Sequence, residues 1–170
     1  QYCGIVINGK LYCPESLASV VTAKCIMNGK LCLYPDDAVI LNSTTRLDKM
    51  FLLRAQPKLY WAEKLFLAVD PKLDAEALAA KGARFSSQKA ILTERNAETL
   101  APLFTEETEL VILPEGTAVL DDDLELRAAT LRRYGDRLYV MGDVTVPEDG
   151  EEALRKLTYL HADGDVLLPE

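Results

Sequence analysis

The sequence of 170 residues lacks most of the features that mark an enzyme. It has a single histidine, His161, no Gly-x-Ser-x-Gly elbow and no glycine-rich phosphate loop. Asp163 and Asp165 are close to His161 in sequence, as a general base would need. We interpret His161 instead as an ordinary strand residue with a polar neighbour. We therefore predict no catalytic residue and no enzymatic activity, with a small hydrolase using a cysteine or His161 as the alternative.

Positive charge and long apolar runs are also scarce. The chain has 19 basic and 27 acidic residues, which gives a formal net charge of −8. Nucleic acids and anionic membrane surfaces both attract basic patches, and the basic residues here are scattered. No apolar run approaches the ~20 residues that cross a bilayer. We expect no nucleic-acid partner and no membrane insertion.

The four cysteines are confined to the start of the chain, at Cys3, Cys13, Cys25 and Cys32. They contain no Cys-x-x-Cys pair, which disfavours a zinc site. No EF-hand spacing occurs among the acidic residues, so we predict no metal and no cofactor. Free thiols are our prediction, and disulfides stay open because the compartment is unknown. The chain begins at Gln1, which indicates either a removed leader or a piece of something longer.

What the sequence does contain is a phrase that recurs at both ends. "VINGKLYCPESL" (6–17) returns as "IMNGKLCLYPDD" (26–37), and "VMGDVTVPEDG" (140–150) is followed by "HADGDVLLPE" (161–170). Each phrase places strand-forming residues before a glycine, and a proline followed by an acidic residue after it. We assign structural roles to these glycines and prolines: Gly9, Gly29, Gly142, Gly164, Pro14, Pro35, Pro147 and Pro169.

The spacing of the phrases predicts a repeat architecture. Gly29 follows Gly9 by 20 residues, and Gly164 follows Gly142 by 22. A constant period of this length is typical of a solenoid, in which each repeat stacks on its neighbours. We predict one repeat domain over 1–170, an α/β solenoid of short parallel strands and helical turns. The clearest repeats are 1–37 and 134–170, with degenerate repeats between them whose register the sequence leaves undefined.

The local pattern assigns elements within each repeat. Apolar residues on both alternating faces predict strands that are covered on both sides. Proline ends each strand, and the acidic residues after it begin a helix, with Leu17 and Leu154 pointing inward. The segment 70–82, "DPKLDAEALAAKG", is the clearest helix, with Asp70 as N-cap and Gly82 after its end.

A second fold remains open. Asn-Gly and Asp-Gly between apolar runs are also typical of two-residue β-hairpins. The chain would then be an α+β domain built of ββα hairpin units. The constant distance from each strand to the next proline and acidic residue favours the solenoid.

Three segments carry a family resemblance. "LVILPEGTAVLDD" (110–122), "DVTVPEDG" (143–150) and "DVLLPE" (165–170) resemble the strand, proline and acidic phrase of the surface-antigen type of leucine-rich repeat from gut and oral bacteria. About half of the chain takes part, and the repeated Phe-x-x-Cys segment of that family is missing. The resemblance implies a leucine-rich-repeat-like scaffold in a bacterial protein that acts as a binding or adhesion surface.

The function that these features predict is binding rather than catalysis. Tyr60 and Trp61 form the one local aromatic cluster, and such a pair is a candidate binding surface, although a core role is the simpler interpretation. The regular phrases at both ends predict a protein partner, or self-association through a terminal strand, with a self-assembling structural module as the alternative. The ligand and the compartment do not follow from the sequence.

Overall fold

The chain is a mixed α/β protein with many short strands and few helices, in a computed structural model that describes residues 4–170. It divides into two compact units. Unit 1 comprises the residues up to Leu92 together with Asn96–Val111, and unit 2 comprises Thr93–Arg95 and Ile112–Glu170.

Unit 1 holds three small sheets and four short helices. The elements are β1 (Ile5–Pro14), α1 (Ala18–Lys24), β2 (Cys25–Tyr34), β3 (Val39–Ile40), β4 (Thr44–Arg46), α2 (Lys49–Arg54), β5 (Leu59–Trp61), β6 (Leu65–Ala68), α3 (Ala75–Ala80), β7 (Arg84–Ser86), β8 (Lys89–Thr93), α4 (Ala97–Leu100) and β9 (Glu109–Leu113). Two strands pair as β1–β2, three as β3–β5–β7, and four as β4–β6–β8–β9. Short 3₁₀ turns precede α1 and follow α4, at Glu15–Leu17 and Ala101–Leu103.

Strands β1 and β2 are parallel, and the two "NGK" phrases lie side by side. Their register places Gly9 opposite Gly29 and Lys10 opposite Lys30 over ten paired positions. The predicted parallel pairing of these strands is therefore confirmed. The hairpin alternative fails here, because the chain runs straight through each glycine instead of reversing. Gly9 has φ +97°, and the Cβ of any larger residue at Gly29 would overlap the Gly9 carbonyl oxygen.

The expectation that these strands are covered on both faces is wrong. Val6 retains 57% of its exposure, and Ile5 and Ile26 are similarly open. Leu17, predicted to point inward, is exposed as well. The apolar pattern predicts the strands but not their burial: α1, the one helix between β1 and β2, leaves Val6 and Ile26 exposed.

The core of unit 1 lies beneath the shorter strands and is rich in aromatic rings. Phe66 and Phe85 are fully buried, and their ring centroids are 5.1 Å apart. Phe104 and Tyr60 pack against Phe85 at 5.3 and 5.9 Å. Such buried aromatic pairs stabilise a core beyond the area that they bury.

Helix α3 is shorter than the sequence suggested. Asp74, not Asp70, is its N-cap and accepts a hydrogen bond from the backbone N–H of Ala77. Asp70 instead accepts from the N–H of Lys72 and forms a separate turn before the helix. Gly82 follows the helix at φ +75°, which confirms the predicted end.

Unit 2 is built from pairs of very short strands. The elements are β10 (Ala118–Leu120), β11 (Leu124–Glu125), α5 (Ala128–Tyr134), β12 (Arg137–Val140), β13 (Val144–Thr145), α6 (Glu151–Lys156), β14 (Tyr159–Ala162) and β15 (Val166–Leu167), with a 3₁₀ turn at Glu148–Gly150. The two sheets have the orders β10–β12–β14 and β11–β13–β15. Leucine and valine side chains, including Leu126, Leu138 and Val140, form the core, and Leu154 packs against it as predicted.

Aspartates link successive strands of unit 2. The Asp123 carboxylate accepts the backbone N–H of Asp143, and the Asp143 carboxylate accepts that of Asp165, each at 2.8 Å. Gly142 and Gly164 lie under these carboxylates, where a Cβ atom would overlap them. Glycine is therefore needed at both positions for close approach, not for an unusual backbone angle.

Every pairing with a determined register in residues 4–170 is parallel. Ile5 lies opposite Cys25 and Leu59 opposite Arg84, so the offset between partners ranges from 20 to 25 residues. The phrase prolines lie at the ends of strands: Pro14 is the last residue of β1, Pro35 follows β2, Pro147 precedes the turn at Glu148–Gly150, and Pro169 follows β15. None of the helices within 4–170 is long and apolar enough to cross a membrane.

Candidate functional site

A buried carboxylate, Glu63, is the centre of a polar cluster in unit 1. It lies in the short connection between β5 and β6, inside the apolar run "LYWAEKLFLAV", and its side chain is 3% exposed. A buried carboxylate is costly unless hydrogen bonds and opposite charge compensate it. The surrounding residues show how this compensation is made.

The partners of Glu63 come from one face of the β1–β2 ladder. Lys10 Nζ donates to both carboxylate oxygens, at 2.8 and 3.1 Å, and the Tyr12 hydroxyl donates at 2.7 Å. Lys30 Nζ lies 3.5 Å from Oε1, and the Cys32 thiol donates to the same oxygen at 3.6 Å. Alternate residues of a strand share a face, so the parallel register delivers all four groups together.

These contacts set the protonation states in the cluster. The Lys10 hydrogen bond, followed by that of Tyr12, lowers the pKa of Glu63 to about 2 against the opposing effect of burial. The pKa of Lys10 is raised by its hydrogen bond to Glu63, and so is that of Tyr12. Burial, and then the Glu63 charge, raises the pKa of the Cys32 thiol. At neutral pH the cluster therefore holds an ionised carboxylate, a charged Lys10 and a neutral thiol.

An open pocket of about 340 Å³ adjoins this cluster. Trp61 forms part of its wall and contacts the rings of Tyr12 and Tyr34, with centroids 6.1 and 5.9 Å away. Lys30 and Glu63 bring charge to the pocket. The remaining lining residues are Glu15, Leu31, Cys32, Leu33, Pro35, Ser86, Ser87, Gln88 and Glu107.

The contacts of Glu63 link two parts of unit 1. A carboxyl with a pKa of about 2 is a poor base at neutral pH, and a thiol whose pKa is raised is a poor nucleophile. What Glu63 does is join the β1–β2 ladder to the β5–β6 connection through charged hydrogen bonds. The Lys10–Glu63 ion pair therefore helps to hold β1 against the β5–β6 connection.

The two aromatic residues proposed as a binding surface point in different directions. Tyr60 is buried, stacks on Phe85, and its hydroxyl accepts the backbone N–H of Gln56. Trp61 is 9% exposed and faces the pocket. Neighbouring residues of a strand face opposite sides, so the pair does not form one exposed patch. A binding role for Trp61 stays a prediction.

His161 belongs to a small surface cluster in unit 2. Its Nε2 lies 2.9 Å from Asp163 Oδ1, and its ring stacks on that of Tyr139 with centroids 4.5 Å apart. The Tyr139 hydroxyl donates to the same carboxylate at 3.2 Å. The predicted neighbour Asp163 is thus in place, whereas Asp165 instead donates its backbone N–H to Asp143.

The thiols at Cys13, Cys25 and Cys32 are free in the structure, and Cys3 lies outside the described residues. Within residues 4–170, no group of three His, Cys, Asp or Glu side chains is placed to hold a metal ion.

Sequence reasoning missed Glu63 and its partners. Two signals could have found them. The lysine of the "NGK" phrase recurs together with the glycine, so parallel pairing places Lys10 beside Lys30. Two adjacent positive charges destabilise a sheet unless a negative charge lies near them, which predicts an acidic partner. Glu63 is an acidic residue within an otherwise apolar run, which indicates a paired buried charge.

No protein family, curated protein or solved structure matches the chain.

Proposed function

We propose that this protein is a non-catalytic interaction module, a repeat solenoid that binds protein through the free edge of β1. The observation that carries the proposal is the state of that strand. β1 is ten residues long and pairs with β2 alone among the described strands. An edge strand of this length presents a row of unpaired N–H and C=O groups to which another strand can add.

The composition of β1 supports the same function. Natural edge strands are blunted by charge, by proline or by a covering element. Here Ile5 and Val6 are exposed, and Lys10, the one charged residue of the strand, is turned to Glu63. The apolar side chains beside the free edge supply contact area for a partner.

The solenoid part of the proposal rests on the parallel registers. Partner residues lie 20 to 25 positions apart in both units, close to the period of the sequence phrases. Each turn of such a solenoid then adds one strand to a sheet, in register with the strand of the turn before it. The resemblance to surface-antigen leucine-rich repeats favours the same class of function.

A binding function also fits the chemistry of the polar groups. Glu63 is held ionised by Lys10, and the Cys32 thiol is held neutral. Neither is prepared for proton transfer or nucleophilic attack. This supports our proposal that the protein is not an enzyme.

Charging the edge of β1 tests the proposal. We expect the full chain to self-associate at micromolar concentration, and Val6→Lys to weaken this association by at least tenfold because a lysine must be desolvated. Leu53→Lys is the matched control: Leu53 is 64% exposed and belongs to α2, another element of the same unit. Sedimentation velocity measures the association, and circular dichroism verifies folding. A protein that stays monomeric, or that associates equally in all three forms, contradicts strand addition at β1.

A further inference from the structure

The unpaired edge of β1 could pair with a strand from any of several proteins. The residues of β1 itself indicate which strand fits best. β2 occupies one edge of β1, and residues of β2, among them Leu31 and Leu33, line the pocket beside Glu63. No described strand pairs with the other edge of β1. The occupant that fits it best is identified by matching its side chains, face by face, with those of β1.

We propose that the partner is a second copy of this chain, whose β1 pairs antiparallel with the first and places Gly9 opposite Gly9. This inference rests on the proposed function of β1 and gives that function a defined partner and register. A two-fold axis perpendicular to the sheet relates the copies. This axis keeps each face of the strand on the same side of the sheet in both copies. Directly opposed residues point to the same face, so the axis must pass beside a residue that lies opposite its own copy.

In this register the opposed side chains are complementary on both faces. Val6 lies opposite Tyr12 of the other copy, an aromatic and β-branched pair of the kind that stabilises sheets. On the other face Ile7 lies opposite Leu11. Each pair occurs twice because of the two-fold axis, and all four residues retain exposure in the isolated chain.

Registers centred one residue to either side of Gly9 oppose less favourable side chains. A centre on Lys10 places that lysine opposite itself, and directly opposed like charges destabilise a sheet. A centre on Asn8 places Lys10 opposite the apolar Val6. The centre on Gly9 instead places Lys10, whose amine donates to Glu63 of its own copy, opposite the uncharged Asn8.

Charge substitution at Asn8 tests the register. We expect Asn8→Glu to tighten the dimer, since each glutamate faces a lysine of the other copy, and Asn8→Lys to loosen it. Two symmetric pairs change the dissociation constant by roughly 2- to 30-fold in each direction. Asn28→Glu and Asn28→Lys are matched controls, because Asn28 lies opposite Asn8 on β2 and donates to its side chain at 3.0 Å. The Asn28 variants are expected to leave the constant unchanged.

A direct contact measurement completes the test. Mixing isotope-labelled and unlabelled full chain allows contacts between copies to be observed by filtered NOE spectroscopy. Ile7 and Leu11 of one strand are about 13 Å apart, beyond the reach of the NOE, so a contact between them arises only between copies. If Val6→Lys dissolves the dimer but Glu and Lys at Asn8 act alike and this contact is missing, the register is wrong and strand addition stands. If no dimer forms, both proposals fail.

Discussion

Replacing Glu63 by glutamine removes a buried charge while keeping the size of the side chain. In the wild type, the Lys10 amine and the Tyr12 hydroxyl both donate to the carboxylate, at 2.8 and 2.7 Å. The neutral amide of Glu63→Gln keeps one acceptor oxygen and loses the ionic part of both bonds. We expect the β1–β2 ladder to be held less tightly and unit 1 to be less stable.

The pKa of Glu63 sets the size of this effect. A fall from 4.5 to about 2 corresponds to an upper bound of roughly 3 kcal/mol of folding free energy at neutral pH. The lysine partners remain 42% and 57% exposed, so water screens part of the attraction. We therefore expect Glu63→Gln to lower the free energy of unfolding by about 1–2 kcal/mol.

The same contribution depends on pH with a defined sign. Because the pKa of Glu63 is lower in the folded chain, the unfolded chain binds the proton first as the pH falls. The stabilisation is complete above pH 4.5 and is lost progressively down to about pH 2. The stability difference between wild type and Glu63→Gln should therefore shrink over this window.

Urea denaturation followed by tryptophan fluorescence measures this difference. Trp61, the one tryptophan of the chain, faces the pocket beside Glu63 and reports on unit 1. Glu107→Gln is the control, since Glu107 is an exposed carboxylate that lines the same pocket. Equal stability of wild type and Glu63→Gln at neutral pH would refute the role of the ion pair. A difference that persists unchanged at low pH would refute its electrostatic origin.

Two further predictions concern the start of the chain. Gly29→Ala should destabilise unit 1 by about 2 kcal/mol or more, because its Cβ overlaps the Gly9 carbonyl oxygen and forces β1 and β2 apart. Gly9→Ala should cost less, about 1 kcal/mol, because it meets only backbone strain in open space; urea denaturation gives both values, and the reverse order would contradict the register. Titration of the denatured, unreduced chain should find four free thiols, of which the structure describes three. Fewer than four would mean that a disulfide forms.

The sequence predicted the pairing of β1 and β2 because both strands carry the same local chemistry. Glycine and lysine at a 20-residue spacing are enough to place Gly9 opposite Gly29, and the structure has this register. Proline followed by acidic residues predicted the helical turn after β1 for an equally local reason, since both favour a helix start. Local residue preferences suffice for features of this kind.

The sequence did not predict which side chains are buried or which residues far apart in the chain contact each other. The apolar pattern around Val6 and Leu17 is typical of buried residues, yet both side chains are exposed. Their burial depends on which other elements pack beside them, and the local sequence does not contain that information. The N-cap of α3 was misplaced because Asp70 and Asp74 both fit a helix start, and tertiary packing decides between them. Glu63 was missed because its partners are 51 and 53 residues away in sequence.

The aspartates of unit 2 have a consequence for how this chain can change in length. Asp123 requires Gly142 beneath it, and Asp143 requires Gly164, so the residue allowed at each glycine position is decided by a side chain 19 or 21 positions earlier. An insertion of a few residues would move a Cβ-bearing residue under a carboxylate and displace the backbone N–H that the carboxylate accepts. Duplication or deletion of a whole period carries an aspartate and a glycine together. We therefore expect insertions and deletions in unit 2 to be tolerated only when they add or remove a whole repeat of 20 to 22 residues.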